Sequence, residues 1–324
     1  MIGKLVVLVT FVALLGGCNG LALPASGSAG GQNEAGVADG QSEAESASAQ
    51  KPRAFMQLIE FHDDIQGVRN WAYELEKRGL KSIVNVQKAI VEAHPEDIRW
   101  LADHGHEIMG LYDGGPLWDV PYEEQLQGMQ EVKEVIERVT GKPMRTFSSA
   151  YAAWDENTLK AADEVGVEYV FARGASDVEA LIYKPDGYNC QIISQSNVTF
   201  EDMGRGSLCD YSLYARGATG ADFEQILDEA LAKYPKRLLV TTHAYLGGMK
   251  KEWWEPYEEL LDGGEVEWVA DFDEWVKPEN GVNIAVPFSM VPDNREVKYT
   301  TPTPAVPLDE LEDVDEMYNP CAAP

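Results

Sequence analysis

Two short segments place acidic and imidazole side chains directly after apolar strand candidates. His62, Asp63 and Asp64 follow an apolar run that ends at Phe61, and His243 follows a second apolar run. Carboxylates and imidazoles are the groups that enzymes use most often for proton transfer and for binding catalytic metal ions. Acid–base hydrolytic chemistry is therefore the first hypothesis. It requires the two strand ends to lie side by side; a solvated acidic turn and a structural histidine are the plain alternative.

The elements that must position these side chains alternate between strand and helix patterns. The predicted strands are Phe55–Phe61, Ser82–Val86, His106–Leu111, Tyr169–Ala172, Arg237–Thr242 and Val266–Ala270. The predicted helices are Val68–Gly79, Pro95–His104, Glu123–Thr140, Asn157–Val165, Phe223–Lys233 and Trp253–Leu261. This alternation favours α/β architecture with parallel strands. About seven units predict an irregular (β/α) barrel of seven parallel strands with function at their carboxyl ends; periodicity alone also allows a doubly wound sheet.

The amino-terminal segment is predicted to export and anchor the protein. A basic start precedes about eleven apolar residues, too few for a transmembrane helix but typical of a secretory signal. Leu15-Gly16-Gly17-Cys18 is typical of a lipobox, which predicts a signal peptide at 1–17 and a lipid on Cys18. An ordinary signal peptide is the alternative. We expect an extracytoplasmic protein that is held to the cell membrane by this lipid only.

The composition divides the remaining chain into three parts. Residues 18–52 are predicted to be a flexible acidic tether, because they are rich in Gly, Ala, Ser and Glu and have no aromatic residue. Residues 53–276 form the predicted barrel domain, and 277–324 a proline-rich acidic tail. The net charge of −29, from 55 acidic and 26 basic residues, argues against nucleic acid as a partner.

The cysteines indicate one local disulfide. With Cys18 lipidated, Cys190, Cys209 and Cys321 remain. Thiols outside the cytosol tend to pair. Cys190 and Cys209 share one irregular stretch and are the preferred pair, although connectivity cannot be deduced from sequence.

Three further segments resemble a known family in order and spacing. They are LEKRGLKSIVNVQKAIVEAHPEDIRWLADHGHEI (75–108), YEEQLQGMQEVKEVIERVTGKPMRTF (122–147) and YAAWDENTLKAADEVGVEYVFA (151–172). Together they resemble the polysaccharide deacetylases, the NodB-homology group of carbohydrate esterase family four. The resemblance covers about two thirds of the chain and implies a deacetylase-type barrel that hydrolyses acetyl groups on a glycan.

The resemblance also implies roles for the residues at the strand ends. In that family a divalent metal such as zinc activates a water, an aspartate takes its proton, and a histidine protonates the leaving group. The matching positions make Asp63 the base, Asp64 a metal ligand and His243 the acid. Tyr151 matches the residue whose backbone amide helps to hold the oxyanion.

Other family positions are lost. The two metal-binding histidines fall on Leu111 and Gly115, neither of which can bind a metal, and the motif arginine falls on Ser148. Asp113 is the best local substitute, and His62 is a further candidate ligand.

Two functions therefore remain open at this stage. The first is hydrolysis of N- or O-acetyl groups on a polysaccharide or cell-wall glycan, with or without a metal. The second is a non-catalytic glycan-binding or envelope-scaffold protein on the same barrel. Aromatic side chains near the predicted mouth suit either function, because they can stack on the apolar faces of sugars; they include Tyr112, Tyr151 and Trp154.

Overall fold

Short strands and helices alternate through the residues that the computed structural model describes, which are 51–62, 64–173, 178–200, 204–278, 283–291 and 304–314. The strands are β1 Arg53–Glu60, β2 Ser82–Gln87, β3 Glu107–Leu111, β4 Thr146–Ser148, β5 Tyr169–Ala172, β6 Leu181–Pro185, β7 Gln191–Ser194, β8 Asn197–Phe200, β9 Gly204–Ser207, β10 Arg237–His243, β11 Glu267–Trp268 and β12 Asn283–Val286. The helices are α1 Ile65–Lys77, α2 Lys88–Ala93, α3 Pro95–Asp103, α4 Tyr122–Thr140, α5 Glu156–Val165, α6 Asp210–Tyr214, α7 Gly220–Leu231, α8 Lys251–Gly263 and α9 Phe272–Trp275. Single 3₁₀ turns lie at Ala150–Ala152, Phe288–Met290 and Leu308–Glu310.

Seven parallel strands form the main sheet of the described residues, in the order β10-β1-β2-β3-β4-β5-β7. The sheet continues from β7 to the antiparallel β6 and then to β12, while β11 pairs with β1. In the register of β1 and β10, Ile59 pairs with His243. The carboxyl ends of the first and last parallel strands are therefore neighbours.

Side chains on the inner face show that the sheet curls instead of lying flat. β1 and β7 are not neighbours in the sheet, yet Gln195 Nε2, just after β7, donates to Gln57 Oε1 of β1 at 3.0 Å. Cys209 pairs with Thr241 of β10 through a parallel bridge, so the segment after β9 covers the opening between the ends of the curl. A flat doubly wound sheet would not bring β1 and β7 together. The predicted barrel is confirmed.

An apolar plug fills the amino-terminal half of the barrel. It contains six side chains that are at most 1% exposed and come from six different strands, namely Phe55, Ile83, Met109, Phe171, Ile193 and Leu239. Helix α9 closes this end, because Phe272 and Trp275 lie 6.2 and 6.0 Å from the Phe55 ring. Contacts between buried aromatic rings of this kind supply large apolar area.

The helices pack on the outside of the curl through the apolar stripe that the sequence pattern predicted. In α1, Val68, Trp71 and Leu75 are fully buried. Helix α4 ends at Gly141, which adopts a left-handed conformation (φ 69°) that costs glycine little. None of the described helices is long and apolar enough to cross a lipid bilayer.

The structure adds elements that the sequence pattern did not predict. Strands β6 to β9 and helix α6 have only four or five residues each, too short for a clear periodicity. The predicted strand Val266–Ala270 is reduced to the two residues of β11. Part of the tail lies on the domain: β12 pairs with β6, and the Val314 N–H donates to the Met249 carbonyl at 2.7 Å.

Candidate functional site

A cavity of about 400 Å³ opens at the carboxyl ends of the parallel strands. Its wall includes a residue at or just after the end of each of the seven parallel strands, namely Phe61, Gln87, Leu111, Ser148, Arg173, Gln195 and His243. The ends of β1 and β10 meet here, since the rings of Phe61 and His243 are 6.0 Å apart. The cavity thus lies where a parallel barrel brings loop residues from several strands together.

His243 is held by a buried carboxylate that the sequence did not identify. Its Nδ1 lies 2.8 Å from Asp210 Oδ1, and Asp210 is fully buried. With Nδ1 bonded to the carboxylate, Nε2 is the ring nitrogen that remains for a ligand. A carboxylate in this position orients an imidazole and stabilises its protonated form, which is the arrangement of a general acid or base.

The Asp210 carboxylate also organises the surrounding backbone. It accepts hydrogen bonds from the His243 N–H at 2.9 Å, the Thr242 hydroxyl at 2.8 Å and the Gly247 N–H at 2.8 Å. A side chain at position 247 would not fit, because its Cβ would lie 2.3 Å from Thr242 Oγ1 and 2.5 Å from Asp210 Oδ2. Glycine at 247 therefore allows the loop to approach the carboxylate.

Local structure explains why Asp210 points inward. Asp210 is the first residue of α6, and the preceding Cys209 accepts a hydrogen bond from the Ser212 N–H. The buried Tyr257 hydroxyl accepts from the Asp210 N–H at 3.0 Å and donates to the Thr241 carbonyl at 2.6 Å. These bonds tie the start of α6 to β10.

The loop after β1 is organised by Glu60. This buried carboxylate accepts hydrogen bonds from the backbone N–H groups of His62 and Asp64. Asp63, the predicted base, lies outside the described residues. Asp64 immediately precedes α1 and is partly exposed, and it is not part of the cavity wall.

His62, a predicted metal ligand, packs beside the mouth of the cavity. Its ring centroid is 4.2 Å from that of Tyr245, and burial, together with the nearby His243, lowers its pKa. His62 and His243 are therefore neighbours at the rim. His62 itself is not among the described residues that line the cavity.

The positions of the two family metal histidines do face the cavity, but they carry no donor atom. Leu111 and Gly115 both line it, and a Cβ placed on Gly115 would meet no atom within 4 Å. Asp113, the predicted substitute, is exposed overall and accepts the Lys88 N–H at 3.2 Å; partial desolvation of its carboxyl group raises its pKa. Asp113 does not line the cavity. The described residues at these positions therefore do not fit the metal that the family uses.

One cluster of described residues offers metal-ligating atoms. The sulfur of Cys209, a carboxylate oxygen of Asp210 and a ring nitrogen of His243 lie within 4.8 Å of one another. Zinc accepts this donor set. However, the Asp210 and His243 atoms are hydrogen bonded to each other, and burial raises the pKa of the Cys209 thiol to about 12, which disfavours the thiolate that zinc requires. The geometry fits a hydrogen-bonded acid pair better than a metal centre.

The arginine positions differ from those expected for the family. Ser148 lines the cavity where the motif arginine would stand. Arg145 lies at the other end of the barrel, where it pairs with Glu107 at 2.6 Å and Asp273 at 2.7 Å. Arg173, just after β5, lines the cavity instead, and its Nε donates to Ser207 Oγ at 3.1 Å.

Tyr151 stands at the mouth in a strained turn. Tyr151 and Ala152 are consecutive residues with φ of 60° and 49°, a left-handed conformation that costs a non-glycine residue roughly 1–3 kcal/mol. The turn is held by bonds from the Ala152 N–H to the Ser149 carbonyl and from the Arg173 N–H to the Ala152 carbonyl. It leaves the Tyr151 side chain 48% exposed beside the cavity.

Of the other two residues that were predicted to contact a sugar, one lines the cavity and one does not. Tyr112 lines the cavity, as expected for a stacking residue. Trp154 does not line the cavity. It is 6% exposed, packs edge-on against Phe288 and belongs to the apolar core that is separate from the plug inside the barrel. A glycan in the cavity would not touch Trp154.

The predicted disulfide between Cys190 and Cys209 is wrong. Both are free, buried thiols. Cys190 immediately precedes β7, at its amino-terminal end, where its thiol donates to the Leu159 carbonyl, whereas Cys209 lies at the mouth. The two residues lie at opposite ends of the barrel because the chain between them runs along β7. The lipidation site Cys18 lies outside the described residues.

Sequence reasoning missed Asp210, Glu60 and Arg173. Asp210 follows a cysteine in an irregular stretch, and Glu60 ends an apolar strand without a recognisable motif. A polar residue at the end of a buried strand is the one signal that could have identified Glu60 and Arg173.

Known proteins share this sequence pattern and fold. Residues 61–170 match the family model described as Polysaccharide deacetylase. No curated protein sequence matches the chain. A putative polysaccharide deacetylase from Mycobacterium smegmatis has a similar structure (14% identity, TM-score 0.56), over 70% of this chain and 89% of that protein.

Two further solved structures are similar to a comparable extent. A probable polysaccharide deacetylase from Pseudomonas aeruginosa PAO1 (16% identity, TM-score 0.53) covers 70% of this chain and 89% of its own. Puue allantoinase (14% identity, TM-score 0.54) covers 70% and 90%. At these identities the structures show a shared fold. Together with the match of residues 61–170 to the family model, they confirm the predicted resemblance to the polysaccharide deacetylases.

Proposed function

We propose that this protein is an extracytoplasmic, lipid-anchored glycan-binding protein built on a polysaccharide deacetylase barrel. One observation carries the proposal: the cavity keeps the position of a substrate site but has Leu111 and Gly115 where the metal histidines would stand. The signal and lipobox patterns ending at Cys18 support the location. The family supports a polysaccharide ligand.

The walls of the cavity support carbohydrate binding. Phe61, Tyr112, Tyr151 and Tyr211 contribute aromatic surface near its mouth. Aromatic faces pack against the apolar C–H faces of sugar rings, and neighbouring polar groups fix the orientation of the hydroxyls. Since Tyr151 is the most exposed of these rings, it offers the largest free surface to a ligand.

Hydrolysis of acetyl groups is the second candidate, and the Asp210–His243 pair favours it. An imidazole with Nδ1 bonded to a buried carboxylate can protonate a leaving nitrogen or oxygen through Nε2. The described residues lack a matching set of donors that would lower the pKa of an attacking water from 15.7 to about 7. The binding function therefore comes first.

Binding and acetate release measured on the same full-length protein separate the two functions. The ligands are partially acetylated chitosan, acetylated xylan and peptidoglycan fragments. Glycan binding should weaken roughly two- to tenfold in Tyr151→Ala, the effect of losing one stacking contact. Acetate released by the wild type and abolished in His243→Gln would establish the hydrolase instead. Binding to none of the three glycans would refute the proposal.

A further inference from the structure

The inner face of the barrel changes from apolar to polar between two successive layers. The apolar plug takes one side chain from each of β1, β2, β3, β5, β7 and β10. Side chains on one face of a strand recur every second residue. On each of these strands, the residue two positions after the plug residue lies on the same face, nearer to the mouth. All of these residues except Leu111 are polar. We call these residues, together with Ser148 of β4, the polar layer: Gln57, Asn85, Ser148, Arg173, Gln195 and Thr241.

Hydrogen bonds join part of this layer into a network. Gln57 Oε1 accepts from Gln195 Nε2 at 3.0 Å and from the Thr241 hydroxyl at 3.2 Å. Arg173 Nε donates to Ser207 Oγ at 3.1 Å. These bonds hold the amide groups in defined orientations inside the barrel.

In the polar layer, the donor Gln57 Nε2 and the acceptor Asn85 Oδ1 have no hydrogen-bond partner among the described residues. Gln57 is fully buried and Asn85 is 1% exposed. An unmade bond at a buried polar group costs about 1–3 kcal/mol, so such groups are normally satisfied by protein, water or a ligand.

The cavity reaches this layer and ends there. Five of its members line the cavity, namely Asn85, Ser148, Arg173, Gln195 and Thr241. The apolar plug lies directly beneath, so the cavity is closed at the bottom. Its volume of about 400 Å³ falls within the range of roughly 300–1,000 Å³ that is usual for pockets enclosing a whole small ligand. An acetyl group alone would fill a small part of it.

We propose that the polar layer binds the terminal sugar of a glycan chain, which enters the cavity end-on. This inference rests on the proposed glycan-binding function and adds which part of the glycan is bound. A hydroxyl group both donates and accepts, so the hydroxyls of one sugar can pair with the donors and acceptors of the five polar-layer residues that line the cavity. Because the cavity has a closed floor, an internal sugar that carries chain on both sides cannot reach this layer.

Binding of the same glycan at two chain lengths tests the end-on binding mode without any mutation. The probe is whichever of the three glycans binds the full-length protein, compared with a partial hydrolysate of the same glycan that is tenfold shorter on average. End-on binding predicts that the half-saturating mass concentration falls about tenfold, because chain ends become ten times more numerous. An unchanged mass concentration would mean that internal sugars are recognised, and would overturn this inference while leaving the proposed function in place.

The variant Asn85→Leu tests whether the Asn85 side chain binds the terminal sugar. Leucine has nearly the same shape as asparagine and removes the unpaired acceptor, so the ligand-free midpoint of thermal unfolding should stay the same or rise. Affinity for the short chains should fall at least tenfold, and the rise in melting temperature that these chains produce should disappear. A purely structural asparagine would instead lower the melting temperature and leave affinity unchanged.

Asn189→Leu is the matched control, since Asn189 is exposed at the opposite, amino-terminal end of β7. It should bind the short chains like the wild type. Full affinity for short chains in Asn85→Leu would show that an ordered water, and not a sugar, satisfies the layer. If no glycan binds the wild type, both this inference and the proposed function fail.

Discussion

The two sides of the cavity mouth differ in the polar groups that they carry and in how these groups are bonded. On the side of β10 and α6, which we call the acid side, Asp210 bonds His243, Thr242 and Gly247 within a fully buried cluster. On the side of β3, the metal side, Leu111 and Gly115 face the same cavity without a metal-binding side-chain atom, and the space around Gly115 is open.

This difference teaches that the acid pair has a structural task of its own. The Asp210 carboxylate satisfies buried N–H and O–H donors of the β10 loop, whether or not chemistry follows. Metal-binding histidines at the surface of a cavity would carry no such task. A retained Asp–His pair therefore does not by itself demonstrate catalysis, and the two sides should respond differently to mutation.

The largest expected effect is on the acid side. Asp210→Ala leaves several buried donors without an acceptor, and it should lower the free energy of unfolding by roughly 3–5 kcal/mol. Urea unfolding measures this change. Asp228→Ala on the exposed face of α7 is the control and should stay within about 0.5 kcal/mol of the wild type. If Asp210→Ala changed the free energy of unfolding as little as the control does, the Asp210 carboxylate would not be needed to stabilise the fold.

A pair of glycine substitutions compares the packing of the two sides. Gly247→Ala places a methyl group 2.3 Å from Thr242 Oγ1, and it should destabilise the protein by roughly 1–3 kcal/mol. Gly115→Ala meets no atom within 4 Å and should have little effect. Differential scanning calorimetry of both variants measures the change in melting temperature that each substitution causes. Equal melting temperatures would mean that the acid side is as open as the metal side.

Restoring donors should convert the metal side into a metal site. The double variant Leu111→His with Gly115→His places two imidazoles where the family carries them, and zinc affinity should rise about tenfold or more, or about 1.4 kcal/mol. Competition with a chromophoric chelator measures the affinity, and Gly115→His alone is the control. Zinc binding by the wild type that equals that of the double variant would instead point to the cluster at Cys209.

The smallest effect concerns a histidine at the closed end of the barrel. Burial lowers the pKa of His106 from 6.5, and its Nδ1 accepts the Ser82 N–H at 3.1 Å, so the folded protein keeps this ring neutral. The unfolded chain then binds more protons below pH 6.5. Stability is complete above this pH and falls as the pH decreases, by at most about 1.4 kcal/mol per pH unit for one proton.

Urea unfolding between pH 7.5 and pH 5 checks this dependence. His106→Gln should be less stable at pH 7.5 but should lose less on acidification. The exposed neighbour His104 is the control, and His104→Gln should follow the wild-type profile. A wild-type profile without any slope in this range would show that His106 titrates normally.

Local sequence pattern determined most of the barrel. The helical spacing of Val68, Trp71 and Leu75 and the apolar run of β10 encode element type directly, because each depends on residues that are close in the chain. The loss of the metal histidines could also be read from sequence, since Leu111 and Gly115 stand at fixed offsets from a recognisable motif.

Only the tertiary structure decided which side chains meet. Asp210 lies 33 residues from His243, in a stretch whose strands are too short to predict, and the curl of the sheet brings the two together. The same curl places Gln57 beside Gln195, whereas the length of β7 separates Cys190 from Cys209. Strand register and barrel closure are properties of many residues acting together, so no local pattern contains the pairing of the acid side or the polar layer.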